Sequence, residues 1–161
     1  MKMRKIGIDL GDTLFDRSQK IQIDGKTTYP LFAGAKSALL WWKLCDYELS
    51  IISKIDRGAE ERVLGHLRLA KIVPDMISES NVYFCFERSE KGAVIKRTNL
   101  MLDIMIDDRV EALNAVDAAF VRHKILFIGG HDDREKEKLA FEGVHIARSW
   151  DEIKLLVASL P

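Results

Sequence analysis

Short apolar runs rich in β-branched residues recur along this chain, and between them apolar positions return every three or four residues. The runs predict strands at Lys5–Ile8, Glu48–Ile52, Val82–Phe86, Leu102–Ile106, Lys124–Ile128 and Val144–Ala147. The helical periodicity predicts helices over Ala35–Leu44, Gly58–Lys71, Glu90–Arg97, Arg109–Ala118, Arg134–Phe141 and Trp150–Ser159. Strand and helix alternating to the end is the pattern of an α/β domain on a mainly parallel sheet. Runs such as IMI and ILFI have no polar alternation, which suits strands covered on both faces.

Local chemistry supports these limits. Ser149 with Glu152 forms a capping box before the last helix, and Asp132 with Glu135 is a carboxylate version before another. Asp56 is placed to cap the helix near Arg57. Residues 20–29, KIQIDGKTTY, alternate about Asp24-Gly25 and predict a hairpin with a type I′ turn. The chain shows no linker, repeat or low-complexity stretch, so residues 1–161 are expected to form one domain with a small β-flap at about 15–33.

The balance of 25 basic and 25 acidic residues removes the motive for a nucleic acid or an anionic membrane as main partner, though it leaves room for a local basic pocket. Cys45 and Cys85 are the only cysteines, and they have no zinc-type spacing, which fits a reducing compartment. The apolar run at the N-terminus is broken by Asp9, Gly11 and Asp12, unlike a signal peptide, and no apolar stretch has the length of a membrane span. A soluble, cytoplasmic protein is expected.

Open parallel sheets bind ligands at the carboxyl ends of their strands. The first strand runs into Asp9, the second into Ser53, and the fourth into Asp107-Asp108, while Lys91 opens the helix feeding that fourth strand. These residue types make a site for a metal-bound phosphate. The carboxylates suit Mg2+, which prefers oxygen ligands, and Lys91 and Ser53 suit phosphate oxygens. Competing assignments exist: Asp108 with Glu111 could be a helix cap, and Lys96 is an alternative lysine deeper in the same helix. Trp41 and Trp42 are expected in the core or an interface, His66 on the surface, and His131 as a possible site-lining residue.

The set of motifs resembles the haloacid dehalogenase superfamily. IGIDLGDTLF is similar to its first motif, D-x-D-G-[TV]-[LV] after hydrophobics, with Asp9, Thr13 and Leu14 matching. LSIISK resembles the second motif and ends on Ser53, Lys91 fits the lysine of the third, and IMIDDR fits the acidic fourth. The short interval from Ser53 to Lys91 resembles minimal-cap members. The resemblance implies a three-layer α/β/α Rossmann-like sandwich and a phosphohydrolase, with Asp9 as nucleophile forming an aspartyl-phosphate. It implies Mg2+ held by Asp9, the Gly11 carbonyl and the Asp107/Asp108 pair, with Asp108 the first choice as direct ligand. Ser53 and Lys91 would bind phosphate.

One position departs from the motif. Gly11 stands where most phosphatases of the family carry a second aspartate, the acid/base toward the leaving group. The alternative function is therefore a non-catalytic relative that binds metal and a phosphorylated ligand. A phosphorylated small molecule, a nucleotide or a phosphoprotein is the expected partner; the oligomeric state is open.

Overall fold

The computed structural model describes residues 3–129 and 143–161. Six strands form one parallel sheet: β1 (Lys5–Ile8), β4 (Glu48–Lys54), β5 (Val82–Cys85), β6 (Leu102–Asp107), β7 (Val121–Phe127) and β8 (Val144–Ala147). Their order is β5-β4-β1-β6-β7-β8. The chain first builds outward from β1 on one side, then returns to lay β6 on the other. The point where that direction reverses lies between β1 and β6, where Ile6 pairs with Ile104 and Ile8 with Ile106. Such a reversal opens a crevice at the carboxyl ends of the two strands.

The helices are α1 (Ala35–Leu44), α2 (Glu60–Leu69), α3 (Lys91–Arg97), α4 (Val110–Asn114) and α5 (Trp150–Ser159). Two apolar clusters separate the layers. Ile6, Ile8, Ile104 and Ile106 pack with Leu39 and Trp42 of α1, Leu67 of α2, and Trp150 and Ile153 of α5. On the other face Ile52, Met105 and Leu126 pack with Ile95 of α3 and Leu113 of α4. The sheet is thus buried on both faces, which explains its unbroken apolar strands. Each fully buried aliphatic side chain contributes about 1.5–3 kcal/mol. Trp42 belongs to this core, whereas its neighbour Trp41 is 58% exposed on α1.

A separate hairpin pairs β2 (Ile21–Ile23) with β3 (Lys26–Thr28). Asp24 and Gly25 turn it with φ of 50° and 73°, the double positive φ of a type I′ turn. The Ser149 half of the expected capping box of α5 forms, its Oγ accepting from Glu152 N at 3.1 Å, while the Glu152 carboxylate accepts from Arg148 N rather than from Ser149 N.

Three expectations change. Asp56 caps nothing through its side chain, because its carboxylate is taken by Lys54 and α2 starts later, at Glu60. Helix α4 stops at Asn114, ahead of a turn in which Asp117 Oδ1 accepts from Ala119 N. Strand β7 starts three residues early, at Val121, because the ladder to Leu102 recruits residues that the polar Arg122 and His123 disguise. The predicted helix Arg134–Phe141, the Asp132/Glu135 cap and His131 lie outside the described residues. Among the described residues no helix is long and apolar enough to cross a membrane.

Candidate active site

Asp9 follows β1 and is still held to the sheet, its N–H donating to Ile106 O at 3.0 Å. The chain then folds on itself. Leu10 O accepts from the N–H groups of Thr13, Leu14 and Phe15, with Asp12 at the bend in the left-handed region, φ 60°. Trp150 Nε1 donates to Thr13 O at 2.9 Å, pinning this loop to α5 from below. Thr13 is thereby aimed inward: its hydroxyl donates to Asp9 Oδ2 at 3.0 Å, with Asp108 Oδ1 at 3.4 Å.

The other half comes from β6 and α3. Lys91 Nζ lies 2.6 Å from Asp9 Oδ1 and 2.5 Å from Asp107 Oδ2. Asp107 Oδ1 accepts from Arg109 N at 2.9 Å, and Arg109 Nε lies 3.2 Å from Asp108 Oδ2. Gly92 explains how α3 approaches so closely: a Cβ there would sit 2.0 Å from Ala115 O, so only glycine lets the helix rest on that backbone.

Lys91 is 2% exposed and Asp107 fully buried, so their charges are weakly screened. Burial, then the neighbouring charge of Asp9, pushes the Asp107 carboxyl up to about 7 against the opposing pull of Lys91. Burial alone would lower Lys91, but Asp9 and Asp107 outweigh it and hold the group as an ammonium, raised above its ordinary value. Asp9, Asp107 and Asp108 each offer an oxygen within 4.8 Å of the others. One buried ammonium cannot balance three clustered carboxylates. Hard oxygen donors with surplus negative charge fit a divalent cation such as Mg2+.

A cavity of about 460 Å³ opens over these groups, and Asp9, Gly11, Ser53, Lys91, Asp107 and Asp108 all line it. Ser53 is buried near the end of β4, where it faces the cavity; Ser50 is buried mid-strand and does not line it. Lys96 is exposed on α3, and Lys91 alone of the two lysines enters the acid cluster. Nor is Asp108 a helix cap: the N-cap of α4 is Arg109, without a side-chain bond, and Asp108 turns toward Thr13 instead.

Several lining residues carried no sequence signal of a site. Arg17 occupies the loop beside Gly11, held by Asp12 Oδ2 at 3.1 Å from Nε and 2.7 Å from Nη2. Arg62 and His66 of α2 also line the cavity, so His66 is not simply a surface residue. Its Nδ1 lies 2.8 Å from the buried Thr28 hydroxyl, joining the hairpin to α2. The wall opposite the acids is therefore built by α2 together with the hairpin, wider than the flap at about 15–33 expected from the sequence.

No family model and no curated protein matches the sequence. Solved structures do match. D,D-heptose 1,7-bisphosphate phosphatase from B. bronchiseptica, complexed with magnesium and phosphate, superposes with TM-score 0.69 at 10% identity over 97% of this chain and 98% of that one. A HAD family hydrolase from Deinococcus radiodurans R1 with bound phosphate and sodium gives 0.65 at 12% identity, covering 98% and 96%. The 3-deoxy-D-manno-octulosonate 8-phosphate phosphatase from Moraxella catarrhalis gives 0.61 at 17% identity, covering 98% and 87%. With its parallel six-stranded order, its hairpin and its acids at the reversal point, this chain has the fold of the haloacid-dehalogenase-superfamily hydrolases.

Proposed function

We propose that the chain is a Mg2+-dependent phosphohydrolase that works through an aspartyl-phosphate on Asp9, taking a phosphorylated small molecule, a nucleotide or a phosphoprotein. The observation that carries this is the setting of Asp9. It is a buried carboxylate at the sheet's reversal point, oriented by the Thr13 hydroxyl and the Lys91 ammonium, at the floor of an open cavity. In the same reading residues 1–161 act as a single hydrolase domain with the hairpin region, about 15–33, as its flap. Magnesium and phosphate in the B. bronchiseptica and Moraxella catarrhalis enzymes support it by analogy.

The roles follow from position. One Asp9 oxygen attacks phosphorus while Thr13 and Lys91 hold the carboxylate in line. Lys91 also offsets charge on the transferring group, and Ser53 orients one of its oxygens. A Mg2+ held by Asp9, the Gly11 carbonyl and the β6 acids would add charge neutralisation and anchor phosphate oxygens. Asp108 is the better direct ligand of the acid pair, because its contacts, Thr13 at 3.4 Å and Arg109 Nε at 3.2 Å, are looser than those of Asp107 with Lys91 at 2.5 Å and Arg109 N at 2.9 Å.

Release of inorganic phosphate from a panel of phosphorylated metabolites with Mg2+, run beside Asp9→Asn, tests the activity. Phosphate binding without turnover of any substrate would favour the non-catalytic alternative.

Metal binding has its own test. Asp107 titrates higher in the fold than its ordinary 3.8, so the folded state keeps a proton that the unfolded chain releases. That contribution is whole below about pH 4 and is lost as pH rises through about 7. Mg2+ replaces the proton, so its stabilising increment in thermal unfolding should be larger at pH 7.5 than at pH 5. It should shrink sharply in Asp108→Ala. An increment independent of pH and undiminished in both Asp108→Ala and Asp107→Ala would remove the metal assignment.

A further inference from the structure

The side chain missing at Gly11 has a replacement, and it carries the opposite charge. A Cβ built on Gly11 would lie 2.7 Å from Arg17 Nε and 2.9 Å from Arg17 Cζ. The guanidinium therefore lies in the direction a side chain at position 11 would take. Asp12 grips it through Nε and Nη2, so its place over Gly11 is held rather than incidental. Arginine stays protonated at any working pH, so it cannot give a proton to a departing alkoxide; it can only stabilise an oxygen that leaves already charged.

The wall beyond supports the same chemistry. Among the described residues Arg17, Lys20, Lys54, Arg62, Arg88 and Arg109 line the cavity, against Asp56 as the one acid outside the β6–Asp9 cluster. Lys54, Arg88 and Arg109 are tied to carboxylates. Lys20 and Arg62 have no hydrogen bond or ion pair among the described residues, so two cations, one from the flap and one from α2, remain for a ligand.

We propose, resting on the phosphohydrolase reading, that the substrate is a phosphoanhydride such as a nucleoside diphosphate, whose leaving group departs as a phosphate anion received by Arg17 with Lys20 and Arg62 behind it. In the first step Asp9 forms a bond to the terminal phosphorus as the bridging P–O bond breaks, and its electron pair leaves with the nucleoside phosphate; no proton is needed. In the second, water attacks phosphorus of the aspartyl-phosphate and the Asp9 carboxylate departs. One water proton stays on the phosphate formed, and the other passes to solvent. The absent acid at position 11 costs the first step of this substrate little, because a phosphate is a good leaving group without protonation; in the second step water loses its proton to solvent, equally for every substrate.

The test compares kcat/KM, with Mg2+, for ADP, inorganic pyrophosphate, p-nitrophenyl phosphate and glycerol 2-phosphate in wild type, Arg17→Gln and Gly11→Asp. ADP or pyrophosphate should exceed glycerol 2-phosphate by at least about 10²-fold, in line with the loss of acid catalysis for the alkyl ester. Arg17→Gln should lower the anhydride rate about 10²–10³-fold, the cost of one preorganised donor, and leave glycerol 2-phosphate, whose alkoxide needs a proton that arginine cannot give, within about 10-fold. Gly11→Asp, which must displace the guanidinium, should raise the alkyl rate and lower the anhydride rate. Equal loss on all substrates in Arg17→Gln would mean that Arg17 only holds its loop. A wild type that prefers the alkyl ester, or cleaves p-nitrophenyl phosphate but no anhydride, overturns the substrate class while leaving the phosphohydrolase intact. No cleavage of any substrate despite phosphate binding overturns both.

Discussion

Asp9→Asn should lose turnover of every phosphorylated substrate by at least about 10⁴-fold, as expected when the nucleophile itself is removed. The fold should survive. The substitution is nearly isosteric, and it takes a negative charge from a cluster in which Asp9 already helps to push the Asp107 carboxyl up. The amide oxygen can still accept from Lys91, which lies 2.6 Å from the present Oδ1, while the amide NH2 donates to the Thr13 hydroxyl, free to turn its own proton toward Asp108 Oδ1. Thermal unfolding of the metal-free variant should therefore match or exceed wild type, and calorimetry should still show phosphate binding. The stabilising effect of Mg2+ should weaken, since one of its carboxylates is gone. Retained turnover with a cold-stable, folded variant would remove Asp9 from the chemistry; unfolding would instead make it a structural residue.

Lys91→Met should have the largest effect on stability. Among the described residues Lys91 is the only lysine bonded within the buried cluster, contacting both Asp9 and Asp107. Removing it leaves buried carboxylates without their ammonium, a change that typically costs about 3–5 kcal/mol. For a chain of this size that corresponds to a fall in Tm of roughly 10 °C. The loss should be smaller at pH 5, where the acids can take protons, and smaller in saturating Mg2+. Lys96→Met is the control: Lys96 is exposed on the same helix, and its removal should stay within about 0.5 kcal/mol. Equal losses for the two lysines, or a Lys91→Met loss unaffected by pH and Mg2+, would contradict the charge balance described for the cluster.

Much of this molecule is written in local pattern. Helices Ala35–Leu44 and Trp150–Ser159 and strands Lys5–Ile8 and Val144–Ala147 have the limits that periodicity predicts, because each pairs a sharp boundary with a clear apolar face. Asp24-Gly25 determines its own turn, since both residues must accept positive φ. The positions of Asp9, Ser53 and Asp107-Asp108 were equally legible, because the residue after a parallel strand lies at the carboxyl edge of the sheet whatever the strand order. Lys91 could be distinguished from Lys96 only as the one nearer the helix start, until packing buried the first and left the second in solvent.

What the sequence could not determine is who meets whom across the cavity. Nothing in the spacing brings the flap's Thr28 to His66, or lays Arg17 across Gly11. These contacts join residues of different elements, and they depend on how α2 and the hairpin settle against the sheet. The bonding of Asp107 is of the same kind: both its oxygens are taken by groups from its own strand end and from α3, at shorter distances than the contacts of Asp108. Periodicity records which face of an element is buried, whereas charge partners are chosen by distance in three dimensions. In this protein the sequence determines the strands, their acid-bearing ends and the hairpin. The tertiary structure decides which acids share one lysine and which cation lies over Gly11, because electrostatic pairing falls off with spatial separation and is indifferent to separation along the chain.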